Sequence, residues 1–90
     1  GIDPILDVYR HHRDSHYIGE CIMGVLRNLA IDPEGRALIG KSDECIQMIL
    51  DVYRHHRQDH EGLVKSIYGL IRNLSLLESN RVTFHNYKVV

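Results

Sequence analysis

The sequence predicts an all-α helical repeat of about two units. Residues 5–13 read I-L-D-V-Y-R-H-H-R, and the same nine residues return at 49–57, an offset of 44. Residues 24–30, G-V-L-R-N-L-A, return as G-L-I-R-N-L-S at 69–75, an offset of 45. A fixed period of this size marks units that stack on one another to bury a shared core. Within each segment the apolar residues recur three and four apart, the spacing of one face of a helix.

The elements follow in chain order. Gly1-Ile2-Asp3-Pro4 resembles the short leader that expression vectors leave behind and is given no functional weight. Residues 5–31 form a partial unit, its second and third helices over 5–12 and 17–30, with Ile18, Ile22, Val25, Leu26 and Leu29 turned inward. Residues 32–76 form a complete unit. Asp32 is placed to cap its short first helix and Pro33 suits the first helical position, where its missing N–H would be unpaired anyway. Gly40 is placed to end that helix. Ser42-Asp43-Glu44 opens the second helix with a capping hydroxyl and two acids at the positive end of the dipole. Ile46, Ile49, Leu50 and Tyr53 form its apolar stripe, and it should fray over 55–58. A third helix starts near His60 or Glu61. Leu63, Ile67, Leu70, Ile71 and Leu74 give it the wide apolar face of a helix packed between neighbours. Residues 77–90 hold the first helix of a following unit, where 81–84 parallels 36–39, and a tail. The tail segment 87–90 is the one weak strand candidate and reads better as a frayed end.

Composition narrows the function classes. Eleven Lys and Arg against twelve Asp and Glu leave a net charge of −1, too little positive field for phosphate-driven nucleic-acid binding. No apolar run approaches a membrane span, and the N-terminus lacks a signal-peptide pattern. Cys21 and Cys45 form no metal pair and no disulfide framework; both read as buried, reduced hydrophobes of a cytosolic or nuclear protein.

Three helices per unit, a third helix ending in L-R-N-L-A or I-R-N-L-S, and Pro33-Glu34-Gly35-Arg36 or Ser79-Asn80-Arg81 a few residues later resemble the armadillo repeat family, catenin- and importin-like solenoids. HEAT repeats have two helices per unit and lack that Asn. The resemblance covers 5–86 and implies a protein–protein interaction module that binds an extended peptide along a groove lined by the third helices. Asn28 and Asn73 fall where the family hydrogen-bonds the peptide backbone. An Asn amide offers both a donor and an acceptor to such a backbone. Gly24 and Gly69 replace the Trp of nuclear-signal receptors, which removes the aromatic slots for Lys stems and leaves room for close approach.

Arg27, Arg72, Lys65 and Glu20 flank the Asn face at helical spacing, where they would read ligand side chains. The alternative is a structural ladder: each Asn bonded within the stack and each Arg paired with an acid of the next unit. The repeated R-H-H-R-x-x-H segment places two His four apart, a two-ligand metal spacing on a continuous helix. Here it spans a helix break with no convincing third ligand, so no metal or other cofactor is expected. The His and Arg read instead as a polar helix end near the negative pole of the dipole. No enzymatic constellation is present: Asp7 and Asp51 each precede a Tyr by two residues, but a catalytic group is not normally duplicated on identical helices. Uncapped ends, exposing Ile5, Val8 and Tyr9 at one side and Val82, Phe84 and Val90 at the other, are expected to drive self-association, with a closed homodimer favoured over an open contact.

Overall fold

The computed structural model describes residues 2–87; Lys88, Val89 and Val90, named above for the strand and for the apolar end, lie outside them. The described residues form six helices and no strand: α1 Asp3–His11, α2 His16–Leu29, α3 Pro33–Lys41, α4 Asp43–His56, α5 Glu61–Leu74 and α6 Glu78–Asn86. No helix among them is long and apolar enough to cross a membrane.

Local chemistry explains most boundaries. Ser42 adopts an extended backbone between α3 and α4, and its hydroxyl accepts from the Cys45 N–H at 3.1 Å. Ser15 does the same for α2, accepting from the Ile18 N–H at 3.3 Å. Asp32 occupies the N-cap position of α3 with an extended backbone, but its side chain makes no capping hydrogen bond. Gly40 does not end α3, which runs on to Lys41. Its role is close packing: a Cβ at Gly40 would lie 1.7 Å from Asn80 Oδ1 on α6. Gly35 serves the same end earlier in α3, since a Cβ there would lie 1.8 Å from the Leu29 carbonyl oxygen. One period on, that position is Asn80, whose amide donates to Leu74 O at 2.9 Å and Arg36 O at 3.0 Å.

The two copies stack through like helices. α2 packs most extensively on α5. Glu20 lies over Gly62 and Arg27 over Gly69, so the contacts advance in the same direction along both helices, which therefore run parallel. The shared core joins Met23 and Leu26 of α2, Ile39 of α3, Ile46, Ile49 and Val52 of α4, Leu63, Ile67 and Leu70 of α5, and Phe84 of α6. Ile2 is part of it, and α1 begins at the next residue.

Three burial expectations need correction. Val25 is 47% exposed and Leu29 37%, because only the α2 stripe that meets α5 is covered. Tyr9 and Phe84 are buried, the first beneath the second copy and the second beneath α3, while Val8 and Val82 are exposed as expected. Cys21 is exposed and Cys45 buried.

Candidate functional site

The parallel pair α2 and α5 carries every candidate residue. Asn28 sits in the last turn of α2, exposed, beside Val25, Leu29, Asp32, Glu34 and Gly35 around a shallow pocket of about 350 Å³. Asn73 is half-buried at the same turn of α5. Among the described residues neither side-chain amide has a hydrogen-bond partner. Asn80 supplies instead a buried amide whose nitrogen donates to two carbonyls, as a structural ladder calls for.

Arg27 reaches from α2 across α5. A Cβ on Gly69 would lie 3.6 Å from its Cδ and 3.8 Å from its Nη1. At Gly24, the equivalent position of the first copy, nothing lies within 4 Å of such a Cβ. The two glycines thus form one slot used twice, filled by an Arg stem at Gly69 and open at Gly24. Arg72 is exposed, and neither it nor Arg27 pairs with an acid among the described residues. Lys65 pairs with Glu61 at 3.6 Å, an exposed i, i+4 contact worth a few tenths of a kcal/mol, roughly 0.3–0.5. Glu20 lies over the start of α5, its Oε1 4.0 Å from a Cβ on Gly62.

Sequence reasoning missed three constellations. The first joins the copies: the Tyr9 hydroxyl donates to Asp51, and Arg13 Nε and Nη2 donate to its two oxygens at 2.7 Å each. Arg13 holds the Asp51 carboxyl down, from 3.8 to about 2. Burial and the Asp51 carboxylate push the Tyr9 hydroxyl well above its ordinary value. The signal was present in the repeated D-x-Y-x-x-x-R, whose first-copy Tyr and Arg serve the second-copy Asp.

The second is a histidine cluster at the joint between copies. His16 stacks on His60 with ring centroids 3.9 Å apart, and His56 meets both His60 and His55 edge-on. His56 is only 4% exposed, and its Nε2 has no hydrogen-bond partner among the described residues. At the polar helix end expected there, His55 is exposed and bonds Asp14 at 2.9 Å, whereas His56 faces inward. Burial, then the neighbouring His55, push the His56 pKa down, against a smaller opposite effect of the Arg13 backbone. Among the described residues no three His, Cys, Asp or Glu side chains converge as metal ligands would.

The third is a repeated arginine cap. Arg36 donates to Ala30 O and Ile31 O at 2.8 Å each, and Arg81 donates to Ser75 O at 2.7 Å. Each Arg thereby satisfies orphan carbonyls at the negative end of α2 or α5.

No family model, curated protein or solved structure matches the chain.

Proposed function

We propose that this chain is an armadillo-type repeat segment whose parallel helices α2 and α5 hold an extended peptide, as a binding module and not an enzyme. The observation that supports this best is that neither the Asn28 nor the Asn73 side-chain amide has a hydrogen-bond partner among the described residues. An extended peptide brings N–H and C=O groups that must be paired when covered, and two amides at a fixed repeat supply them. Arg27 and Arg72, on equivalent turns and without an acid partner among the described residues, suit a peptide with acidic side chains. The buried Cys45 and the lack of a disulfide among the described residues suit a reducing compartment, cytosol or nucleus.

A twelve-residue peptide library panned on the chain, with recovered peptides measured by fluorescence anisotropy, tests this reading. Asn28→Ala with Asn73→Ala should weaken binding by roughly 1–2 kcal/mol per Asn while leaving the melting temperature unchanged. Unaltered affinity with a collapsed melting temperature would make the Asn pair structural. The second reading, a scaffold or self-associating segment without a groove ligand, draws on the Tyr9–Asp51–Arg13 link between the copies.

A further inference from the structure

The interface inside this chain has two sides, and a second copy of each recurs among the described residues, lined in part by exposed side chains. On the face of α1 and α2 turned away from the second unit, Ile5, Val8, Ile18, Ile22 and Val25 line an apolar groove of about 230 Å³. One period on, the same positions are Ile49, Val52, Leu63, Ile67 and Leu70, all buried at 1% exposure or less. The first unit covers them: α2 passes so close that a Cβ on Gly19 would lie 3.3 Å from the Leu63 side chain and 3.5 Å from Val52. What buries this type of face is therefore visible in the molecule, namely the opposite face of a unit like itself.

That opposite face is also displayed, on the second unit. In the first unit it consists of Leu6, Tyr9, Met23 and Leu26, with Arg13 at the edge. Its counterpart in the second unit is Leu50, itself buried, with Tyr53, Tyr68 and Ile71 and with Arg57 at the edge, around a pocket of about 320 Å³ that Arg54 and Tyr87 also line. Tyr68 is 56% exposed. The Tyr53 hydroxyl meets the Tyr68 hydroxyl at 3.3 Å, and Arg57 lines the same pocket. Tyr53 and Arg57 thus repeat the Tyr9 and Arg13 pair without an Asp to hold. The corresponding Asp is at the other end: Asp7, the counterpart of Asp51, is exposed on α1 and among the described residues has His11 alone, at 4.0 Å, as an ion-pair partner.

We infer that the chain binds a second copy of itself head to tail, the α4–α5 face of one copy seated in the α1–α2 groove of the next, with Asp7 received by Tyr53 and Arg57. The contact repeats the internal one in register and charge. It is heterologous, because the two faces are complementary and neither is self-complementary, so it extends and does not close as a twofold dimer. This replaces the closed pairing expected from exposed ends alone. Val64 stands where Gly19 does, so the contact between copies is more open, and weaker, than the one within the chain. The inference does not depend on peptide binding, since it uses the stacking faces and none of the Asn residues.

Sedimentation equilibrium of the whole chain at about 50 mM salt, where exposed ion pairs are least screened, tests it. The wild type should show a weight-average mass that climbs with concentration past that of a dimer by about 300 μM. Asp7→Arg and Arg57→Glu, each alone, place like charges across the contact and should weaken association by about tenfold or more. A one-to-one mixture of the two variants, or the double substitution, restores opposite charges and should bring association back to within about threefold of wild type. Circular dichroism of each variant checks that the helices are retained. A wild type that stays monomeric, a mass that stops at a dimer, or a mixture no better than its components would each overturn the inference.

Discussion

Asn80 fills the space that any side chain at Gly40 would need. Its amide is held by two carbonyls, Leu74 O and Arg36 O, and so has no freedom to step aside. Gly40→Ala should therefore destabilise the protein by about 1–3 kcal/mol, although the same change in an open helix would stabilise it by about 1. Asn80→Ala leaves two carbonyls unpaired and should cost about 1–3 kcal/mol. In the Asn80→Ala background, Gly40→Ala should lose most of its effect. Urea denaturation of the four proteins measures that coupling, and strict additivity would separate the two residues.

The buried His56 ring should make the fold acid-sensitive. Its folded-state pKa lies below the ordinary 6.5, so the unfolded chain takes up the proton first. Stability from the neutral ring is complete above that value and declines as pH falls from it towards the lower folded-state value. The groups around the ring are His55 on its own helix, His16 from α2, His60 at the start of α5 and the Arg13 backbone. His56→Phe removes the orphan Nε2 and should leave stability at pH 7.5 unchanged or raised by up to about 1–2 kcal/mol. It should also flatten the decline between pH 6.5 and 5. Thermal melts across that range decide it; parallel curves for the two proteins would clear His56 of the effect.

Asp51 acts in a lower window. Its carboxylate is stabilised in the folded state, so its contribution is present above about pH 4 and lost as pH falls through about 2. Asp51→Asn should cost about 1–3 kcal/mol at pH 7, chiefly through the Tyr9 and Arg13 partners it abandons. Denaturation midpoints of variant and wild type should converge near pH 2. A gap that persists there would assign the loss to packing.

Arg36→Ala removes two hydrogen bonds from the carbonyl end of α2, and Arg81→Ala one from α5. Both should lower stability, by about 1–2 kcal/mol for Arg36 and less for Arg81. Arg36→Lys should recover only part, because an ammonium cannot fork to two carbonyls in one plane. Equal melting temperatures for Arg36→Lys and wild type would show that charge alone suffices.

Helix existence and order were legible because caps and periodicity act locally: Ser42, Pro33 and the apolar stripe of α4 state their roles within a few residues. What was not legible depends on the neighbour. A glycine near a helix end looks like a stop, and only the approach of Asn80 from α6 reveals Gly40 as a packing position. Val25 and Leu29 complete an apolar stripe on paper, but α5 covers only part of that stripe. A His–His pair reads as a polar helix end, and it takes the joint between copies to turn His56 inward while His55 stays out. For the candidate site, the sequence placed Asn28 and Asn73 on equivalent turns. It did not foresee that Arg27 would lie across Gly69, nor that the duplicated Tyr, Asp and Arg work between copies.

The contrast between the two cysteines makes the molecule its own probe. Burial pushes the Cys45 thiol up to about 11, so at neutral pH it stays protonated and unreactive towards alkylating reagents. Cys21 is exposed on the wall of the α1–α2 groove. A maleimide dye will therefore label the native chain at one place, without engineering. Whatever fills that groove will slow the labelling, and the rate becomes a direct reading of its occupancy.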